Sequence, residues 1–291
     1  TIRTLVLNEV KPSTFVFENS ELKYFNSRVG TFLFYESSSR IEIINSIFNR
    51  SVAGDTFVSS PETYLGTKPE IIIRKTTFTE IDPLAHWHNS RPGLIINLFS
   101  GSTSLVMFDN CTLRDIPDRT SLFVLGSVNR LIMNDILVRN VSLSSARVLF
   151  CQCPKTNVSI NNLFTEDVSY IGSFIYEINS DTTSWILISN VTFQRNIDSP
   201  ITINSGLFKI NDAGNFTVDN FRATEQQFFG AQSSAIVIYR RCQGILRGIR
   251  IYNNNISKPG SSPGYPFGYI YITRESNVTI EDTYIYDNYL S

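Results

Sequence analysis

Two short patterns of hydrophobic and polar residues alternate along most of the chain. In the first, an apolar residue, a variable residue, an Asn or Asp and a second apolar residue follow one another, as at 160–163 and 188–191. The third residue marks each copy, and the markers are Asn110, Asp135, Asn162, Asn190, Asn220, Gly248 and Asp282, with Asn45 and Lys75 as looser members. From 110 to 282 the markers recur at a spacing of about 25–34 residues, which predicts a repeat architecture.

The second pattern is a run of four β-forming residues, often opened by a small residue. The runs are 31–34, 93–96, 121–124, 147–150, 173–176, 206–209, 235–238 and 268–271. The distance from the end of a run to the next marker varies little, as the spans 34–45, 124–135 and 209–220 illustrate. The distance from a marker to the end of the following run varies more, as between the spans 162–176 and 248–271. Both patterns favour strands, and no window shows a sustained helical period. One connection is therefore nearly fixed in length, while the opposite one accepts insertions.

A parallel β-solenoid explains this asymmetry, because its tight turns stack from coil to coil while its longer loops lie outside the stack. Asn and Asp tolerate the left-handed conformation that a bend between two strands needs. Stacked on one another, their side chains would form a ladder. The predicted ladder consists of Asn110, Asp135, Asn162, Asn190, Asn220 and Asp282. We expect nine or ten coils of about 25–34 residues, which would make a rod about 45 Å long at the usual interstrand spacing.

Tandem coils such as Ile-Asn-Asn-Leu at 160–163 resemble the right-handed parallel β-helix proteins of the pectin-lyase-like superfamily, over about residues 15–288. The resemblance implies an all-β, right-handed parallel β-helix that forms a single domain over residues 1–291. It implies no single function, because this fold carries lyases, hydrolases, adhesins, tailspikes and structural proteins. The chain begins and ends within the repeat, at 2–7 and 279–286, with no polar cap. We therefore expect it to be a segment of a longer polypeptide, or to dock end to end on copies of itself.

The composition narrows the range of partners. With 25 basic and 26 acidic residues the chain has a net charge of −1, so it lacks the basic surface that nucleic-acid binding requires. No apolar run approaches the roughly 18 residues of a membrane-spanning helix. We therefore expect neither a nucleic-acid partner nor a membrane span in this segment.

Eight Asn-x-Ser/Thr sequons favour secretion and N-glycosylation, although an Asn-rich composition is the simpler explanation for their number. The preferred sites are Asn49, Asn140, Asn157, Asn215, Asn255 and Asn277. Asn110 and Asn190 rank below them, because they belong to the marker column and could carry no glycan if that column points inward. Three of the preferred sites lie five residues before a marker, and we expect them to align along one rim of the rod; they are Asn157, Asn215 and Asn277. The Asn content and the sequons resemble those of a eukaryotic, protist-like surface glycoprotein, which favours an extracellular or cell-surface location.

The motifs of the polysaccharide-cleaving members are missing. Similarity to polygalacturonase-type hydrolases would require a paired Asp-Asp and a Gly-His-Gly, and similarity to pectate lyases would require clustered calcium-binding Asp residues near an Arg base; neither occurs. Asp115 and Asp167 are weak catalytic candidates, five residues past their markers and two coils apart. Their separation of about 9–10 Å is marginal for the roughly 6.5–9.5 Å between the carboxylates of inverting glycosidases. The simpler interpretation is that they close turns, so we predict that the chain is not an enzyme.

Other candidate ligand residues have equally simple structural explanations. His86 and His88 flank Trp87 in a long insertion, but a third metal ligand is missing, so we predict no metal and no cofactor. Several tyrosines crowd the last two coils and could contact a sugar or a protein, or fill the core. The possible ligand or interface residues are Trp87, Tyr265, Tyr269, Tyr271, Tyr284 and Tyr286.

The four cysteines show no zinc-ligand spacing. Cys111 follows a marker at a position that is apolar in other coils, so we expect it to be buried. Cys242 lies about three coils beyond Cys151, near 14 Å, which is too far for a disulfide.

These observations together favour a structural or adhesive extracellular glycoprotein that forms a rigid rod or part of a fibre or surface coat. The partners would be copies of itself, other extracellular or fibre proteins, or glycans, contacted through the insert loops 61–70, 81–93, 196–206 and 253–267. The main alternative is a carbohydrate-active enzyme or carbohydrate-binding module of the same fold. A receptor-binding segment like that of a tailspike is a third alternative, close to the first.

Overall fold

The computed structural model is a parallel β-solenoid, which confirms the fold that the repeat predicts. The residues that the structure describes are 5–7, 14–23, 26–27, 33–35, 40–50, 52–53, 58–59, 69–83, 93–117, 121–144, 147–152, 154–171, 174–198, 205–229, 233–256 and 269–290. Within these ranges all regular secondary structure is β-strand, and no helix occurs.

The strands follow the two sequence patterns in alternation. The first twelve are short: β1 (Leu5–Leu7), β2 (Thr14–Glu18), β3 (Glu21–Lys23), β4 (Asn26–Ser27), β5 (Leu33–Tyr35), β6 (Arg40–Ile44), β7 (Ile47–Asn49), β8 (Val52–Ala53), β9 (Val58–Ser59), β10 (Glu70–Arg74), β11 (Thr77–Thr79) and β12 (Asp82–Pro83). The middle of the chain forms β13 (Gly93–Ile116), β14 (Ser121–Ser144), β15 (Leu149–Gln152), β16 (Asn157–Ile171), β17 (Phe174–Asn179), β18 (Trp185–Gln194), β19 (Ile197–Asp198), β20 (Ser205–Asn211), β21 (Asn215–Thr224), β22 (Gln227–Phe228), β23 (Ser233–Tyr239), β24 (Gln243–Arg247), β25 (Arg250–Tyr252) and β26 (Asn255–Ile256). The last strands are β27 (Ile270–Thr273), β28 (Asn277–Glu281), β29 (Tyr284–Tyr286) and β30 (Tyr289–Leu290).

About six turns are fully formed, over residues 93–256, which corrects the predicted nine or ten. Most of the shorter strands before and after this range pair in the same parallel sheet, as β2 does with β6 and β24 with β28. β4, β8 and β12 form a separate parallel sheet of three strands. The higher number came from counting every copy of the repeat as a coil. In several of those copies, the residues that connect one strand to the next lie outside the described ranges.

Each turn contains two main kinds of strand, stacked in register on those of the neighbouring turns. A short third strand follows the second bend in the later turns, where β19, β22, β26 and β30 stack in that order. The bent strands carry the marker residues. Among them, β16 pairs with β18 and β18 pairs with β21, without a change of register. The straight strands come from the second sequence pattern, and β15, β17, β20, β23 and β27 pair in that order. Because every strand adds to the strand one coil earlier, any residue is flanked by its counterparts in the adjacent coils.

The marker residue changes which side chains of a bent strand point inward. In β18, Ile186 and Ile188 are buried, and simple alternation would place Asn190 in the core as well. Asn190 instead adopts a positive φ of 54°, so that it is exposed and the next residue, Val191, is buried. The same left-handed bend occurs at every marker, with φ between 47° and 65°, at Asn45, Lys75, Asn110, Asp135, Asn162, Asn190, Asn220, Gly248 and Asp282.

The marker column therefore lies on the outer surface of the solenoid, not in its interior. Its side chains are linked partly from coil to coil: Nδ2 of Asn162 donates to Oδ1 of Asp135 at 2.9 Å, and Nδ2 of Asn220 donates to Oδ1 of Asn190 at 2.8 Å. The premise for ranking Asn110 and Asn190 below the other sequons is wrong, because both side chains are exposed. The bend exposes them by reversing the alternation of the strand.

A second amide ladder, which was not predicted from the sequence, runs inside the solenoid. It follows a second left-handed bend five residues after each marker, and its members are Asn196, Gln226, Asn254 and Asn288. Oδ1 of Asn254 accepts a hydrogen bond from the backbone N–H of Gln226 at 2.8 Å, and its Nδ2 donates to the carbonyl of Ala223 at 3.1 Å. The first three side chains are buried, so each satisfies backbone groups that water cannot reach. We call this set the inner ladder.

Large apolar side chains fill the space between the two kinds of strand. Tyr176 of β17 stacks on Phe208 of β20, with ring centroids 5.7 Å apart, and its hydroxyl lies 3.0 Å from Oγ1 of Thr165 on β16. Burial raises the pKa of the Tyr176 hydroxyl, so it stays neutral. Burying an aromatic ring of this kind contributes about 1.5–3 kcal/mol, and this ring joins both strand types.

Candidate binding groove

A groove of about 700 Å³ runs along the outer side of the straight strands β17, β20 and β23 and reaches β27. The residues that define it are polar and aromatic: Phe174, Glu177, Asn179, Lys209, Asn211, Asp212, Tyr239, Arg240 and Tyr271. Because the strands stack in register, each coil contributes one short row of these side chains. The groove therefore follows the axis of the solenoid.

Glu177 lies at the centre of the groove between two cations. Its Oε2 is 2.6 Å from Nε of Arg147, one coil earlier, and its Oε1 is 3.2 Å from Nζ of Lys209, one coil later. Nδ2 of Asn179 also donates to Oε1, at 3.3 Å. Burial alone would raise the pKa of the Glu177 carboxyl, but the charges of Arg147 and Lys209 outweigh it, so the pKa lies below its ordinary value. Glu177 is therefore a carboxylate at neutral pH.

Aromatic rings and further cations surround this ion pair. The ammonium of Lys209 lies 5.4 Å from the ring centroid of Phe174 and 5.6 Å from that of Tyr239. The guanidinium groups of Arg240 and Arg274 lie 5.1 and 4.9 Å from the Tyr239 ring. At these distances the three cations are within cation–π range of the Tyr239 ring, so aromatic and charged groups alternate along the groove.

The other polar groups of the groove are amides and a second paired carboxylate. Asn179 and Asn211 form a short amide row, with Nδ2 of Asn211 donating to Oδ1 of Asn179 at 3.1 Å. Among the described lining residues the carboxylates are Glu177 and Asp212, and Asp212 pairs with Arg241 at 2.9 Å. A general acid needs a proton near neutral pH, which the Glu177 carboxyl does not keep because Arg147 and Lys209 lower its pKa.

The weak catalytic candidates Asp115 and Asp167 lie away from this groove. Both occupy second bends, with φ of 54° and 53°, and both border a shallow hollow of about 460 Å³. Oδ1 of Asp115 accepts a hydrogen bond from Nδ2 of Asn140 at 2.7 Å, and Oδ1 of Asp167 accepts one from Nε of Arg195 at 2.9 Å. Their contacts join neighbouring coils at a turn, which supports the turn-closing interpretation.

The predicted aromatic contacts fall into separate environments. Tyr269 packs edge-on against Phe228, with centroids 6.3 Å apart, and burial raises the pKa of its hydroxyl to about 12. Tyr271 lines the groove. Tyr286 stacks on Tyr252 at 5.1 Å, and Tyr284 is exposed. The predictions for Trp87, Tyr265, His86 and His88 fall outside the described residues.

The sequons differ in exposure. Six of the eight asparagines are exposed: Asn110, Asn140, Asn157, Asn190, Asn215 and Asn277. Asn49 and Asn255 are half-buried. Asn157 and Asn215 share one column of the bent strands, with Trp185 between them, and Asn277 pairs with Gln243. Exposure alone does not determine which sequons carry a glycan, so their occupancy stays a prediction.

The three described cysteines are all buried. Cys111 is buried as expected, its thiol donates to the carbonyl of Ile73 at 3.4 Å, and burial raises its pKa to about 11. Cys242 is a buried free thiol, whereas Cys151 is disulfide-bonded. Among the described residues no group of three or more His, Cys, Asp or Glu side chains could hold a metal ion. The same part of the chain contains no helix long and apolar enough to cross a membrane.

The groove was not predicted from the sequence, although one signal was present. The second sequence pattern is apolar apart from its small opening residues and occasional charges, and Arg147 and Lys209 are charged residues inside two of its copies. Glu177 directly follows a third copy, between these two in the stack. Comparison with known proteins found no match to this chain among family models, curated proteins or solved structures.

Proposed function

We propose that this chain is a structural or adhesive extracellular glycoprotein, in which the solenoid is a rigid rod and the groove on the straight strands binds carbohydrate without cleaving it. The observation that carries the proposal is the Glu177 carboxylate, held between Arg147 and Lys209. Sugars are recognised by flat aromatic faces and by amide and charged hydrogen-bonding groups, and Tyr239, Asn179 and Lys209 supply these.

The finer features of the architecture belong to the same proposal. We propose that the coils wind right-handed, as parallel strand crossovers almost always do, and that the fold is of the pectin-lyase-like kind. The rod would serve as part of a fibre or surface coat, with copies of itself, other extracellular proteins or glycans as partners. Negative-stain microscopy of the native parent protein tests the assembly: filaments or long rods are expected, and monodisperse particles of about this size would contradict it.

The competing function is a carbohydrate-active enzyme of the same fold. It would need a carboxyl group free to exchange a proton, and both described carboxylates of the groove are ion-paired. Arrays of neutral, uronate-bearing and sulfated oligosaccharides provide the test. We expect wild-type protein to bind a subset of them, Tyr239→Ala to lose that binding, and the exposed-tyrosine control Tyr284→Ala to retain it.

The same incubations distinguish binding from catalysis. The chain length of each bound oligosaccharide should stay unchanged after prolonged incubation. Cleavage that disappears in Glu177→Gln, Asp115→Asn or Asp167→Asn would overturn the proposal in favour of an enzyme. If no oligosaccharide binds, the groove is not a carbohydrate site, and the structural role would have to rest on assembly alone.

A further inference from the structure

A large aromatic side chain lies exposed between two sequons on the bent strands. Trp185 begins β18 and keeps 47% of its surface exposed. It pairs with Asn157 of β16 on one side and with Asn215 of β21 on the other. The three residues therefore stand side by side on adjacent rungs, separated by about the 4.8 Å interstrand spacing.

The residues that flank these three in the column are polar. Arg130 pairs with Asn157 on one side, Gln243 pairs with Asn277 on the other, and all four are exposed. Beyond Arg130 the column continues with the half-buried Leu105. An exposed indole in such a column leaves apolar surface in water that a covering group would remove. Indole faces also provide a flat, rigid surface for packing, which suits the C–H face of a sugar ring.

A hollow of about 380 Å³ adjoins Trp185 on the side of Asn215. Its lining includes Trp185, Asn215, Thr217, Gln243 and Asn277, whereas Asn157 does not contribute to it. Phe216, between the sequon residues Asn215 and Thr217, points into the core, so the sequon's Asn and Thr both face outward. A sugar attached to Asn215 thus has an indole beside it and open space ahead.

We propose that Asn215 carries an N-linked glycan whose first sugar packs against the indole of Trp185 and occupies this hollow. The inference rests on the proposed extracellular glycoprotein function and names one occupied site. In the transfer, the Asn215 amide nitrogen bonds to C1 of the first sugar of a lipid-pyrophosphate-linked oligosaccharide. The bond from C1 to the pyrophosphate oxygen breaks, and the nitrogen loses one proton. The attached sugar then shields Trp185 from water.

Glycopeptide mass spectrometry of native, source-purified protein tests occupancy first. The peptide containing Asn215 should be glycosylated. If other sequons are filled and Asn215 is empty, the inference is wrong while the glycoprotein proposal stands. If no sequon is filled, both fail.

Fluorescence quenching tests the packing. In Trp87→Phe protein from a secretory eukaryotic host, Trp185 is the remaining tryptophan. Enzymatic removal of the glycan, which converts the Asn215 side chain to Asp, should roughly double the acrylamide quenching constant. Equal quenching with and without the glycan would overturn the inference, because the indole would then be uncovered in both forms.

A double-mutant cycle provides the energetic test. Asn215→Gln should lower the unfolding midpoint in the wild-type background, and the drop should shrink by at least half in Trp185→Ala. Ile197→Ala is the matched control, because Ile197 is also exposed (43%) and pairs with Ser169 and Gln227, away from the sequon column. An equal drop in all three backgrounds would mean that the glycan acts without Trp185, and would contradict the proposed packing.

Discussion

The bent strands and the straight strands share one stack and one register, yet their outer faces differ. On the bent strands, charged pairs such as Arg247 and Asp219, 3.0 Å apart, remain largely in solvent. On the straight strands, Arg147 and Glu177 form the same kind of pair with side chains only 17% and 8% exposed. Because the effective dielectric constant falls with burial, the same kind of ion pair interacts more strongly on the straight strands than on the bent strands. The comparison indicates that in-register stacking builds both faces, while local burial determines how strongly the charged pairs on each face interact.

The largest effect is expected where the two kinds of strand meet. Tyr176→Ala would remove the ring that stacks on Phe208 and the hydroxyl that contacts Thr165. We expect a loss of about 3–5 kcal/mol in the free energy of unfolding, measured by denaturant titration. Tyr176→Phe keeps the ring and should cost about 1 kcal/mol. A similar loss in both variants would mean that the hydroxyl, not the packing, joins the faces.

The next largest effect should separate the inner ladder from the outer marker column. Asn254→Ala would leave the backbone N–H of Gln226 and the carbonyl of Ala223 without these partners inside the protein, at a cost of about 2–3 kcal/mol. Asn220→Gly is the matched change in the marker column, where Gly248 already occupies an equivalent bend with φ of 65°. Its unfolding free energy should change by less than about 1 kcal/mol, because the lost hydrogen bond is exposed. Equal losses of unfolding free energy in the two variants would mean that the inner ladder stabilises the fold no more than the marker column does.

A smaller effect should come from the ion pair of the groove. Glu177→Gln would leave Arg147 and Lys209 close together without the carboxylate. Breaking a fully buried pair costs about 3–5 kcal/mol, and the partial exposure of both cations reduces our expectation to about 1–2 kcal/mol. Thermal unfolding at pH 7 measures it, and no change would show that the groove is already well solvated.

The same residue gives a pH dependence with a definite sign. The pKa of Glu177 is lower in the folded protein than in the unfolded chain, so its carboxylate stabilises the fold above the unfolded value of about 4.3. That contribution is lost as the pH falls through the lower folded pKa. The unfolding midpoint of wild type should therefore drop more than that of Glu177→Gln as the pH falls below about 4.3. If the unfolding midpoints of the two proteins fall equally with pH, the lowered pKa of Glu177 in the folded protein is contradicted.

The smallest effect belongs to the exposed face. Arg247 pairs with Asp219, and their side chains are 48% and 39% exposed. Arg247→Gln should leave the unfolding midpoint unchanged within error, since water and salt screen the pair. A drop comparable to that of Glu177→Gln would mean that the two faces do not differ electrostatically.

The sequence predicts the stack well because each bend leaves a local signature. Asn162 and Asn190 have side chains that favour the left-handed conformation, and their spacing alone indicates parallel coils. The inner ladder was missed because inward and outward polar columns look alike in sequence. The left-handed bends at Asn190 and Arg195 each shift the alternation by one residue and together cancel, so Asn196 points inward like Ile186 and Ile188.

The groove and the number of turns depend on how residues far apart in the sequence pair between coils, which the repeat alone does not determine. Arg147, Glu177 and Lys209 come from three successive coils, and only the exact register brings them together. The sequence period does not fix that register, because the interval between markers lengthens from 110–135 to 248–282. The number of turns is overestimated when every copy of the repeat is counted as a complete turn.

The in-register ladder also gives the rod a direction of mechanical weakness. Hydrogen bonds between coils point along the long axis, as from the Asn255 N–H to the carbonyl of Gln226 at 2.9 Å. Tension along that axis would load these bonds head-on and open the stack between one pair of coils, because each coil contacts only its neighbours. Force across the axis, along the strands, would instead have to shear a whole row of bonds at once. A molecule anchored through its side should therefore resist pulling better than one anchored through its ends.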